Sequence, residues 1–162
     1  MKTQTETPPS SAPDAAALSR RFGACFYGFS VAEITRIQPY LHYRFCPQGT
    51  DLWQEDDVAD FTGFLFQGKL TVKRGARFPG KFILLAVLEP GAIFGESAIA
   101  GGRKRSAIVT AGEDCHYLAL SATDSDRLFA AEPELGIRLL QNILAIAGSR
   151  LSRAGVRLAE LL

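Results

Sequence analysis

The chain is poor in the residues that metal and redox chemistry need. It has three cysteines, Cys25, Cys46 and Cys115, and two histidines, His42 and His116, in 162 residues. The cysteines are odd in number, far apart, and include no C-x-x-C pair. A disulfide scaffold and a zinc ribbon are both excluded as readings, and buried free thiols are expected. Charge of one sign is also lacking: 18 Lys and Arg stand against 17 Asp and Glu, a formal net charge of +1. Backbone binding to nucleic acid needs a clustered cationic surplus, so a polyanion is not the expected main partner. No window is apolar for long enough to cross a bilayer, and Met1–Ser11 has no apolar core of a signal peptide. A soluble cytoplasmic protein with no membrane contact is expected, without cofactor or metal.

What is present is the composition of a folded domain: 47% hydrophobic and 22% charged residues. Residues 1–13, rich in Thr, Ser and Pro, read as a disordered tail. Asp14 can cap a helix reaching toward Tyr27, and Ser30 with Glu33 forms a capping box for a second helix. From Tyr40 the pattern becomes that of short strands punctuated by glycine. They fall at Tyr40–Phe45, Asp51–Trp53, Phe61–Phe66, Leu70–Val72, Phe82–Leu88, Ser106–Thr110 and His116–Leu120. That spacing predicts an antiparallel sandwich or small barrel over residues 14–132. Ser121 or Thr123 then caps a short helix through Phe129. Pro133 opens a long final helix, residues 133–162. Ile137, Leu140, Leu144, Ala147, Leu151, Ala154, Leu158 and Leu161 alternate three and four apart, the seam pattern of a self-associating helix. A homodimer through this helix is expected.

The chemistry concentrates in Pro90–Val109. Gly95-Glu96-Ser97-Ala98-Ile99 suits a turn followed by one helical turn, whose free N–H groups attract an anion. Arg105 is expected to open a strand on which it shares a face with Ala107 and Val109. If that face is inward, the arginine needs an anionic partner. One reading is an internal Glu96–Arg105 salt bridge. The other places a ligand between them, with a phosphate on the arginine fork and a hydroxyl on the glutamate. A sugar phosphate offers both groups.

Phe94-Gly95-Glu96, the nine-residue step to Arg105, and Arg105-Ser106-Ala107 resemble the phosphate-binding cassette of cyclic nucleotide-binding domains. Gly49–Asp57 and Phe64–Val72 are similar to that family's barrel strands and turns, and Phe129–Glu134 resembles its hinge into the C-terminal helix. The resemblance covers roughly Phe29–Leu162. It is to the sensor domain of catabolite-activator and FNR-like regulators. It implies a mainly β fold, an eight-stranded double-sheet jelly-roll β-barrel with flanking helices and a long C-terminal helix. It implies a stand-alone regulatory domain that binds cyclic AMP or a related cyclic nucleotide such as cyclic GMP, and signals through the last helix to a downstream protein. In this family Glu96 takes the ribose 2′-hydroxyl and Arg105 the cyclic phosphate. Gly95, Ser97 and Ala98 add backbone contacts, and Ser106 its hydroxyl. Ser97 departs from the larger aliphatic common there, and Lys104 from the usual proline. The helix pair that reads adenine in many bacterial members has no good match, leaving Ser149, Ser152 and Arg153 as candidate base contacts.

No helix-turn-helix follows the last helix in this sequence, so no direct DNA binding is expected. No catalytic constellation stands out, and the expectation is a non-enzyme. A cupin-like metal enzyme needs a histidine cluster that two histidines do not make. The alternative function is a protein-interaction module with a degenerate, ligand-free pocket.

Overall fold

The structure is a computed structural model that describes residues 12–161. Residues 1–11, most of the expected tail, and Leu162 lie outside the described residues. Helix α1, Ala15–Arg21, starts at Asp14, whose side chain accepts from Ala17 N at 2.7 Å. It ends earlier than the expected Tyr27, and turns fill Phe22–Gly28. Helix α2, Val31–Ile37, carries the capping box in full: Ser30 Oγ accepts from Glu33 N, and Glu33 Oε2 accepts from Ser30 N. A 3₁₀ turn, Gln38–Tyr40, leads into the barrel.

The described residues form eight strands: β1 (His42–Cys46), β2 (Asp51–Trp53), β3 (Phe61–Gln67), β4 (Leu70–Gly75), β5 (Phe82–Leu88), β6 (Ile93–Phe94), β7 (Ile108–Ala111) and β8 (Cys115–Ser121). They make two four-stranded antiparallel sheets in the orders β1-β8-β3-β6 and β2-β7-β4-β5. The jelly-roll architecture expected from the sequence is thus present. Strand β6 was not foreseen, because two residues are too few to show a period. β7 begins at Ile108, later than the expected Ser106.

Strand alternation divides the core in two. Leu65, Phe94, Tyr117 and Ala119 point between the sheets, with Trp53, Leu70 and Val109. Their neighbours Phe64, Ile93, Leu118 and Leu120 point out of the barrel, against Leu18, Phe22, Ile34 and Ile37 of the N-terminal helical region and Leu135, Leu139 and Ile143 further on. Residues 115–120 are therefore buried throughout, as a strand covered on both faces must be.

Helix α3, Ala122–Ala131, is capped by Ser121 and leads to α4, Pro133–Glu160, with Pro133 at its first position. Leu135, Leu139 and Ile143 bury one face of α4, each worth about 1.5–3 kcal/mol. The expected seam is a different stripe: Ile137, Leu144, Leu151, Leu158 and Leu161 are exposed. Residues 151–161 are all exposed.

Candidate ligand-binding site

The cassette starts where β6 ends. Gly95 sits at φ +65°, a left-handed conformation that costs a side chain energy, and a Cβ there would lie 2.4 Å from Arg105 Nη1 and 2.8 Å from Trp53 Cη2. Only glycine lets the chain turn this close to the arginine. A 3₁₀ turn, Glu96–Ala100, follows.

Arg105 precedes β7 instead of opening it. Residues 103–105 are held by the loop after β2 through Arg105 N to Asp57 O at 2.8 Å and Asp56 N to Arg105 O at 2.9 Å. The expected shared face holds nonetheless: Arg105, Ala107 and Val109 are all buried, the arginine to 2% exposure. Its guanidinium lies 3.6 Å from the Trp53 ring centroid, and Trp53 is itself fixed by Nε1 donating to Ala107 O at 3.0 Å. Arg105 Nη2 donates to Phe61 O at 2.7 Å and to Asp60 Oδ1 at 3.3 Å, and Nη1 to Gly95 O at 3.2 Å.

The internal Glu96–Arg105 salt bridge does not form. Arg105 pairs with Asp60, and Glu96 pairs with Arg150 of α4 at 3.4 Å. The reason is geometric: Asp60 ends the loop that packs on Arg105, whereas Glu96 turns toward the helix. Asp60 is a weak counterion, since 73% of its side chain is exposed and well hydrated. Burial therefore pushes the Arg105 guanidinium below its ordinary range despite Asp60. Arg105 Nε is buried without a hydrogen-bond partner among the described residues. A buried donor left unmade is costly, and this one is unmade among the described residues.

A cavity of about 830 Å³, with Arg105 in its wall, opens between the cassette and α4. That is within the roughly 300–1,000 Å³ of small-molecule sites. Of the residues expected to bind, Gly95, Glu96, Ser97, Arg105, Ser106 and Arg153 line it. Ala98 is buried beneath the cassette, outside the lining, and Ser149 and Ser152 are exposed on α4 outside it as well. The two serines lie on the helix face turned away, as their spacing implies: at 3.6 residues per turn they stand roughly 200° and 140° round the helix from Ala147.

Sequence reasoning missed Asp60, Trp53 as the arginine's platform, and above all Arg150. Arg150 lines the cavity, donates from Nη2 to Ile93 O at 2.5 Å, and bridges to Glu96. One signal was available: Arg150 interrupts the small and apolar positions Ile143, Ala147 and Ala154 at helical spacing.

The family model that matches is the cyclic nucleotide-binding domain, over residues 43–132. The chain belongs to the cyclic nucleotide-binding domain family. The cyclic AMP receptor protein of Thermus thermophilus is 29% identical over 133 residues, 82% of this chain and 59% of that protein. A cyclic nucleotide-gated potassium channel of Rhizobium etli is 28% identical over 123 residues, 76% of this chain and 33% of the channel. The chain thus spans three-fifths or less of these two curated relatives. A crystal structure of a cyclic nucleotide-binding domain from Methylobacillus flagellatus has the same fold, with a TM-score of 0.82 at 22% identity, covering 91% of this chain and 85% of that one.

The histidines of this cyclic nucleotide-binding domain lie elsewhere. His42 Nε2 meets Asp124 Oδ2 at 2.9 Å, and His116 Nδ1 meets Tyr43 Oη. Among the described residues no group of three metal-ligating side chains is placed to hold a metal ion, and no helix is long and apolar enough to cross a membrane.

Proposed function

We propose that this domain is a non-enzymatic regulatory sensor that takes cyclic AMP or a related cyclic nucleotide in the cavity between cassette and α4, and that α4 passes the event to a downstream protein. The observation that carries the reading is Arg105: buried in the wall of the cavity, ion-paired only to an exposed carboxylate, and with Nε unsatisfied among the described residues. In this reading the cyclic phosphate meets Arg105 with the cassette backbone at Gly95, Ser97 and Ala98 and the Ser106 hydroxyl. The ribose 2′-hydroxyl goes to Glu96, whose Oε2 has no hydrogen-bond partner among the described residues. The base then points toward α4, whose exposed apolar stripe supports a homodimer.

One observation favours the alternative of a ligand-free interaction module: Asp60, Phe61 O and Gly95 O already occupy the terminal nitrogens of Arg105. Calorimetric titration with cyclic AMP and cyclic GMP separates the two. Arg105→Ala should abolish most binding, and Arg105→Lys should restore part of it, because a point charge cannot reproduce the fork. Unchanged affinity in a folded Arg105→Ala protein would reduce the cassette to a structural ion pair.

A further inference from the structure

Resting on that reading, we propose that Arg153 reads the base, and that the domain prefers a 6-oxopurine cyclic nucleotide, of the guanine class, over an adenine one. The polar groups that α4 offers the cavity are of one kind. They are three arginines, Arg150, Arg153 and Arg157, and the other α4 residues in that wall are leucine, isoleucine and alanine. Ser149 and Ser152, which carry acceptor oxygens, lie outside it. The base-facing side chains of α4 are therefore donors without an acceptor among them, since a guanidinium carries five N–H groups and no lone pair to offer.

The three arginines are not equally free. Arg150 is committed to Ile93 O and to Glu96. Arg153 uses only Nε, donating at 3.3 Å to Ser149 O of its own helix. That bond orients the side chain and leaves both terminal nitrogens without a hydrogen-bond partner among the described residues. Arg153 is part of the cavity wall, so its fork is available to a base held there.

Purines differ in what they return to such an edge. Guanine carries two adjacent acceptors, O6 and N7, which match a guanidinium fork in both spacing and polarity. Adenine carries N7 beside an N6 amino group, which is itself a donor. Against Arg153 that amino group faces another donor, and this wall supplies no side-chain acceptor to take it. A correct bidentate pair typically separates the two bases by about five- to hundredfold, and Arg153 is exposed enough that water competes, so about tenfold is expected here.

The test is calorimetric titration of the full chain and its variants with cyclic GMP, cyclic IMP and cyclic AMP. Cyclic IMP keeps O6 and N7 and lacks the guanine amino group. Wild type should bind cyclic GMP and cyclic IMP within about threefold of each other, and each about tenfold tighter than cyclic AMP. Arg153→Ala, at an exposed helical position where folding is easily checked by circular dichroism, should bring the three together. Arg153→Gln should turn the preference toward cyclic AMP, because an amide offers one donor and one acceptor to N7 and N6. Equal or tighter binding of cyclic AMP by wild type would overturn the inference while leaving the proposed function standing. So would a preference that survives Arg153→Ala, or a cyclic IMP affinity as weak as that of cyclic AMP. No binding of any of the three overturns the proposed function and this inference with it.

Discussion

Arg150→Met should loosen the distal half of α4 and leave its proximal half in place. The proximal half is held by Leu135, Leu139 and Ile143, all essentially buried. Beyond them Arg150 is the side chain that ties the helix to the cassette, through Ile93 O at 2.5 Å and Glu96 at 3.4 Å. Both Arg150 and Glu96 are about one-third exposed, so the ion pair is screened and worth about 0.2–1 kcal/mol. The charge-assisted bond to the carbonyl adds about 1.5 kcal/mol, the low end for a charged donor in partial contact with water. Methionine keeps most of the side-chain length, so little packing is lost. The sum, near 2 kcal/mol, is larger than the reserve of a helix end that contains Gly148 and Gly155, each costing up to about 1 kcal/mol against alanine.

Hydrogen exchange followed by mass spectrometry reads this directly. Amides over residues 147–160 should exchange about tenfold or more faster in the variant, since 1.4 kcal/mol of opening free energy is one factor of ten. Peptides covering Leu135–Ile143 should be unchanged. Arg150→Lys should recover part of the protection, because an ammonium reaches one of the two partners but not both. Raising the salt concentration should shrink the ion-pair share of the difference. Equal exchange over 147–160 in wild type and Arg150→Met would show that something other than Arg150 holds the distal helix.

Three further outcomes are expected. Gly95→Ala places a Cβ against Arg105 and Trp53 at a left-handed φ, and should cost about 2–4 kcal/mol in urea unfolding as well as displacing the guanidinium; a variant within 0.5 kcal/mol of wild type, on the ~0.5 kcal/mol scale of a neutral surface change, would contradict this packing. Leu151 and Leu158 are 75% and 60% exposed and lie outside the cavity wall, so replacing both with glutamate should yield monomers in sedimentation with an unchanged barrel spectrum, and a monomeric wild type at high micromolar concentration would remove the dimer reading. Burial pushes the Cys25 thiol up to about 12 and the Cys115 thiol up to about 11, so at pH 8 neither holds appreciable thiolate, and both should react with a disulfide reagent only on unfolding.

Much of the fold was legible because local signals and tertiary burial agree here. The capping box at Ser30 and Glu33, the cap at Ser121, and Pro133 at the start of α4 are local patterns, and each lies where its side chain predicts. The strands were readable from their glycine boundaries and β-branched or aromatic content. What escaped depends on contacts distant in sequence. Asp60 is one carboxylate in an acidic stretch, and only the approach of a residue 45 positions away makes it the partner of Arg105. Glu96 was expected to meet Arg105 or a ligand hydroxyl, and the charge it pairs with instead sits 54 residues on, in α4. The seam of α4 was legible as a period. Which stripe faces the barrel was not, because the core positions Leu135, Leu139 and Ile143 repeat at helical spacing too.

The segment Ile93–Glu96 is where the two cores meet. Ile93 packs into the helical cluster, and its carbonyl receives Arg150. Phe94 packs between the sheets beside Trp53. Gly95 backs onto Arg105, and Glu96 faces α4. A displacement of the arginine by a bound anion, if it occurs as proposed, would reach the helix through four consecutive residues. The size of the response has a bound. The Arg150 contacts amount to about 2 kcal/mol, while carrying a population from 1:99 to 99:1 takes about 5.5 kcal/mol of differential affinity. Release of Arg150 alone would leave such a switch incomplete. The remainder has a source in the exposed leucines of α4: burying one of them against a partner yields about 1.5–3 kcal/mol, so two that repack in only one helix position close the gap. If α4 self-associates as proposed, ligand response and self-association are one equilibrium, and the monomeric Leu151/Leu158 variant should bind ligand with its distal helix only partly shifted.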